Sequence, residues 1–304
     1  MRLPFRKHVL DWVRPRADAL VYASKAYVDL KSTQNEMAGD LIDFSREPEG
    51  SDDLALLQAL SYLLPRQWPA ERFVRVGGQS DGGYVMDRDL DVEGAISIGV
   101  GDDVSWDRAL AERGIPVAAF DHTISELPSG VPGLEFRKLG LGVRSEGDLL
   151  ALMDLIEMAG FVDSSRLILK VDIEGNEWKA FADTETLDLR QFTQIAMEIH
   201  DLDCLASPTS ADVMLRALRR IAGSHMPIHM HANNYGRLFR TTSYWFVDTL
   251  EVLFVRKPPD ENPGFADGVG SGLDAPCDPR VSDIDLHNSL TASRWFSHTN
   301  ADDD

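Results

Sequence analysis

Residues 95–121 read AISIGVGDDVSWDRALAERGIPVAAFD. An apolar run (95–100) leads into Gly99 and Gly101, and a segment of helical period (106–114) closes on Gly114. A second apolar run (116–121) then ends on Asp121. Strand, glycine turn, helix and strand in this order predict a βαβ unit in a largely parallel sheet. The glycines let the backbone turn sharply and approach a ligand, while the next helix points its N-terminus at the same place. Asp121 lies twenty residues after Gly101. An acid there can accept both hydroxyls of a ribose, so Gly99, Gly101 and Asp121 are candidate nucleoside-binding residues.

The same alternation continues outward. LEFRKLGLG (134–142) reads as a strand and DLLALMDLIEMAG (148–160) as a helix closed by glycine. RLILKVDIEG (166–175) is nearly all apolar, as expected at the buried centre of a parallel sheet. QIAMEIH (194–200), a helix over 211–223, PIHMHANN (227–234) and TLEVLFVRK (249–257) complete the series. The fold expected is α/β, a doubly wound Rossmann-like sheet with ligands at the C-terminal strand ends. Residues 1–70 read as a helical N-terminal extension, 71–258 as the α/β domain, and 259–304 as an acidic, Gly/Pro-rich, partly flexible tail.

Chemistry concentrates at the strand ends. Asp172 and Glu174 finish the central strand two residues apart, on one face if the strand runs that far. Glu174 reads equally well as a cap for the helix that follows Gly175. On the neighbouring strand Glu198 and His200 again share a face. His200, with an ordinary pKa near 6.5, suits a general base for a substrate hydroxyl, Asp172 is the other candidate to deprotonate or orient that group, and Glu198 joins them as a candidate catalytic residue. Asp172, Glu198 and His200 are also a candidate set for Mg2+, which would orient and acidify that hydroxyl. His231 and Asn233 are candidate acceptor contacts at the end of a later strand. Before the first core strand lies GGQSDGGY (77–84). It reads either as a hairpin turn or as a ligand-approaching loop in which Asp81 meets the nucleoside ligand and Tyr84 a second substrate.

A dinucleotide site generally needs G-x-G-x-x-G, and here Val104-Ser105-Trp106 occupy the place of the third glycine. Asp102 and Asp103 at the helix mouth would repel a pyrophosphate but tolerate a ligand carrying ammonium and sulfonium charges. SIGVGDDVSWDRALAERG, FDHT, LILKVDIEGNEWKAF and IAMEIHDL together resemble the FkbM-type methyltransferases and their methyltransferase-like relatives over roughly residues 72–257. The most specific element is Lys170-Val171-Asp172-Ile173-Glu174-Gly175-Asn176-Glu177-Trp178. The resemblance implies a class I methyltransferase fold, S-adenosylmethionine as donor, and O-methylation of a hydroxyl on a small molecule or glycan. A nicotinamide-dependent oxidoreductase and a non-catalytic interaction module are the alternatives on the same fold.

Composition narrows the partners. The chain has 304 residues and a net charge of −20, with 50 acidic against 30 Lys and Arg residues, which disfavours nucleic acid. No apolar run approaches the roughly 18–20 residues that span a bilayer, and the basic N-terminus lacks a signal-type apolar core. Two distant cysteines, Cys204 and Cys277, fit a reducing, cytoplasmic setting. The N-terminal helices are candidates for a homo-oligomer contact.

Overall fold

The computed structural model describes residues 53–127, 131–185, 188–241, 245–259, 263–284 and Leu286. The expected helices and oligomer contact before residue 53, and the acidic end of the chain, lie outside the described residues. The elements run α1 (Asp53–Leu63), β1 (Phe73–Gly77), β2 (Gly83–Asp87), β3 (Gly94–Ile98), α2 (Ser105–Ala111), β4 (Val117–Phe120) and β5 (Leu134–Arg137). They continue with β6 (Gly140–Leu141), β7 (Leu149–Leu150), α3 (Leu152–Met158), β8 (Leu167–Val171), α4 (Glu177–Asp183) and β9 (Phe192–Ile199). Last come α5 (Pro208–Ile221), β10 (His225–Ala232), β11 (Leu238–Arg240), β12 (Trp245–Val247) and β13 (Leu250–Arg256).

Seven strands form one sheet in the order β10-β13-β9-β8-β3-β4-β5. From β9 to β5 the neighbours are parallel, whereas β13 runs antiparallel to both β9 and β10. The chain passes from β3 through β4 to β5 on one side and then returns to place β8 on the other side of β3. That reversal opens a crevice beyond the C-terminal ends of β3 and β8. Residues on alternate sides of each strand enter separate cores. Ile96, Ile98, Phe120, Leu169 and Val171 face α1, α3, α4 and α5, while Ala95, Val117, Ile168 and Ala196 face α2 and the β1–β2 hairpin. On α5, Ala211, Met214, Ala217, Leu218 and Ile221 are buried at three- and four-residue spacing. Each large aliphatic among them contributes roughly 1.5–3 kcal/mol of burial.

Three sequence boundaries move. Residues 53–63, assigned above to an extension, pack against α5 and β10, and Leu56, Leu60 and Leu63 join the main core. The α/β body therefore starts before residue 71. The strand expected over 134–142 bends after Arg137 into β5 and β6, and the helix expected from residue 148 begins only at Leu152 after the short β7. Residues 263–284 lie on the body, although few of them are apolar. Val269, Cys277 and Ile284 are buried, and His229 Nε2 lies 2.8 Å from Asp274. No helix among the described residues is long and apolar enough to cross a membrane.

Candidate functional site

The β3–α2 turn forms the floor of a cavity of about 610 Å3 at the sheet reversal. Gly99 has φ 76°, and a Cβ there would sit 1.6 Å from the Asp172 carbonyl oxygen. Only glycine permits β3 and β8 to lie so close at their ends. Gly101, at φ 58°, has open space around its missing Cβ. Ile98, Phe120, Leu141, Val143 and Ile173 supply apolar walls, and Asp81, Asp102, Asp103, Asp121 and Asp172 supply carboxylates.

Asp121 lines this cavity, but its oxygens are already engaged. Oδ2 accepts the amides of Val100 and Gly101 at 3.0 Å each, and Oδ1 accepts the amide and hydroxyl of Thr123 at 2.7 and 2.6 Å. Burial alone would raise its pKa, but these donors hold the carboxyl below the usual range. Four donors use the four lone-pair directions of a carboxylate, so the side chain also staples the glycine turn to β4. Asp121→Ala is expected to cost about 1–3 kcal/mol in urea unfolding, because two loop amides lose their partner. An unchanged unfolding free energy would remove that stapling role.

A second cavity, of about 350 Å3, opens beside the first. Asp81, Asp172 and Glu174 border both, and Glu198, His200, Asp201, Asn233 and Asp248 complete much of the second. Register explains the convergence: Val171 pairs with Met197 across β8–β9, so Asp172 and Glu198 project from the same face. Asn233 Nδ2 donates to Glu198 Oε1 at 2.5 Å and to Asp81 at 3.4 Å. Among the described residues only Glu174 (φ 54°) and Asp201 (φ 59°) are non-glycine residues in the left-handed region, and both line this cavity. Such conformations cost of order 1–3 kcal/mol and persist where the surroundings enforce them.

His200 does not sit as a free base. Its Nε2 is 3.4 Å from Glu198, 3.5 Å from Glu174 and 3.9 Å from Asp172, and its Nδ1 is 3.3 Å from Glu177. Burial works against the charged ring, yet Glu177 and Glu198 raise its pKa to about 11. A ring held as an imidazolium is a poor proton acceptor, which weighs against the base role expected of His200. Glu198 is the better placed group. Burial first, then Asp172, lifts its pKa to about 7 against the pull of His200, a value suited to accepting a proton at neutral pH. Burial likewise lifts Asp81 to about 6.

Tyr84 and His231, expected at the acceptor, border neither cavity. The Tyr84 hydroxyl lies beneath the carboxylates, 3.3 Å from both Asp172 and Glu198, and so positions them. His231 is turned away, between Glu251 at 2.9 Å and Asp283 at 3.0 Å. The cation set also shifts: Asp172, Glu174 and His200 bring ligand atoms within 4.8 Å of one another, so Glu174 takes the place expected of Glu198.

Three contributors escaped the sequence reading. Lys170 is 4% exposed, donates to the Gly99 carbonyl at 2.8 Å and lies 3.5 Å from Asp172. The signal was present as one lysine inside an apolar strand. Glu177, buried, accepts the amides of Gly175 and His200 at 3.0 and 2.9 Å and thus ties the ends of β8 and β9 together. Asp107, 1% exposed on α2, feels the positive charge of Lys170, which opposes the burial that raises its pKa.

No protein-family model matches this chain, and no curated protein matches it. The meaning of the site therefore rests on its own geometry.

Proposed function

We propose that this chain is an S-adenosylmethionine-dependent methyltransferase that O-methylates a hydroxyl of a small molecule or glycan. The observation that carries this reading is the pair of adjoining cavities with Asp81, Asp172 and Glu174 as their common wall. One chamber has the apolar walls and glycine turn that suit an adenosine, and the other is small and polar. A transfer reaction needs two such chambers meeting at the reacting atoms.

The donor fits the larger chamber chemically. Ile98, Phe120, Leu141 and Val143 offer an adenine slot, and the surrounding carboxylates offer counter-charges for a sulfonium and an ammonium. The same carboxylates oppose a pyrophosphate, which weighs against a nicotinamide cofactor. The sheet order also weighs against a nicotinamide cofactor. The dinucleotide order continues in parallel to the sixth strand, whereas here antiparallel β13 is slotted between β9 and β10, which departs from that order.

The bound donor would supply a methyl group already activated by its sulfonium. The residues of the chain would bind, orient and remove one proton. Glu198 and Asn233 hold the acceptor hydroxyl in the smaller chamber, and Glu198 takes its proton. Protonated His200 keeps Glu198, Asp172 and Glu174 within one cluster. Lys170 ties the Gly99 turn to Asp172, fixing the boundary between the chambers.

The test is a melting curve with S-adenosylhomocysteine, with NAD as the control. Ligand at about 100 times its dissociation constant should add roughly 2.7 kcal/mol to stability. A shift with S-adenosylhomocysteine alone supports the reading, and a shift with NAD alone overturns it.

A further inference from the structure

His231 was singled out in the sequence, yet neither chamber uses it. It stands in a row across the sheet: Glu198 on β9 pairs with Glu251 on β13, and Glu251 pairs with His231 on β10. All three side chains therefore lie on one face. Onto the outer end of that row the segment 263–284 lays Cys277 and Asp283. His231 Nδ1 lies 2.9 Å from Glu251 Oε2, and Cys277 Sγ lies 3.4 Å from Glu251 Oε1. The three residues are 3%, 3% and 1% exposed, and their ligand atoms lie within 4.8 Å of one another.

We propose that His231, Glu251 and Cys277 form a zinc site that pins the C-terminal segment to the sheet. Three observations carry it. The donor set is one imidazole nitrogen, one carboxylate oxygen and one sulfur, the set zinc accepts, and the sulfur disfavours magnesium or calcium. Tetrahedral zinc with bonds of about 2.0–2.3 Å needs its ligands roughly 3.2–3.7 Å apart. His231 Nδ1 and Cys277 Sγ approach different oxygens of Glu251, at 2.9 and 3.4 Å, and one ligand atom from each residue lies within 4.8 Å of the others. The side chains must therefore close by up to about 1 Å on a common ion that takes water as its fourth ligand. Lastly, His231 presents its other nitrogen, Nε2, to Asp283 at 3.0 Å. A carboxylate behind a metal-bound imidazole fixes its tautomer and raises its basicity, an arrangement typical of zinc histidines.

Zinc binding would release two protons to solvent, the one between Nδ1 and Glu251 and the one on the Cys277 sulfur, because zinc takes the neutral imidazole and the thiolate. The zinc ligands come from β10, β13 and a segment more than twenty residues downstream of β13. Binding therefore closes a long loop, and the free energy of binding adds to the stability of the folded chain. The site is distinct from the Asp172, Glu174 and His200 group, which offers no sulfur, and it does not depend on the proposed reaction.

The full-length protein, purified without chelator and dialysed, should retain about one zinc per chain by elemental analysis. Cys277→Ser and His231→Gln should each lose most of it, while His200→Gln should keep it. Replacing the zinc by cobalt in the wild-type chain should give an intense near-ultraviolet thiolate-to-metal band. This second readout needs no variant to fold. Wild-type chain that neither retains nor takes up zinc would overturn the proposal. So would zinc that survives in Cys277→Ser but is lost in His200→Gln, or a cobalt form without the thiolate band.

Discussion

Glu198→Gln is expected to lower turnover by about 10²–10⁴-fold, the usual contribution of a general base, while making the folded chain more stable at neutral pH. Glu198 is 4% exposed, and its pKa stands at about 7 chiefly because burial disfavours its charge. The sign follows from proton counting. Between the ordinary value of 4.5 and about 7 the folded chain holds a proton that the unfolded chain has released. Stability therefore falls as pH rises through that window, and above it the full cost of the buried charge is present. Glutamine removes the charge and keeps an oxygen for Asn233. After allowance for the lost attraction to His200, a gain of about 1–3 kcal/mol is expected at pH 8, shrinking towards zero near pH 5. Urea unfolding at both pH values, with turnover measured on the same samples, reads both effects. A variant less stable than wild type at pH 8, or one with normal turnover, would remove Glu198 from this role.

Lys170→Met should destabilise the chain by about 3–5 kcal/mol, the usual cost of removing one partner from a buried charged group. The ammonium lies 3.5 Å from Asp172, and its pKa is raised because the charges of Asp172, Asp107 and Glu198 outweigh the burial that would lower it. Both oxygens of Asp107 are buried, and the neighbouring Ser97 hydroxyl and the Lys170 charge are what oppose the burial that raises its pKa. Without Lys170, Asp107 would have to protonate or draw water into the core. The double variant Lys170→Met with Asp107→Asn should recover part of the loss, since the stranded charge goes with its partner. Simple additivity of the two single effects would show that Lys170 and Asp107 do not act as a pair.

The strand–helix alternation was legible in the sequence because each buried parallel strand is an apolar run and each helix shows its own period. The glycine turn and the meeting of Asp172 with Glu198 were legible for a related reason, since strand ends in a doubly wound sheet share one edge. Strand direction was not legible. The run over 250–256 reads the same whether β13 lies parallel or antiparallel to β9. Nor was the state of His200, because Glu177, which faces its Nδ1, lies 23 residues away on another element. A ring that looks like a base in sequence becomes a cation once four carboxylates surround it. The packing of 263–284 escaped too, since polar contacts such as His229 with Asp274 hold it, and these leave no hydrophobic pattern.

Asp81 lies in the turn between β1 and β2 and borders both chambers. Burial raises its pKa to about 6, which brings its change of charge close to neutrality. Above that value Asp81 presents its charge to both chambers, so a cation in either would draw on the same carboxylate. As pH falls through about 6 the charge is lost, and the affinity of both chambers for cations is expected to weaken together, because a proton must leave Asp81 before it can serve as a counter-charge.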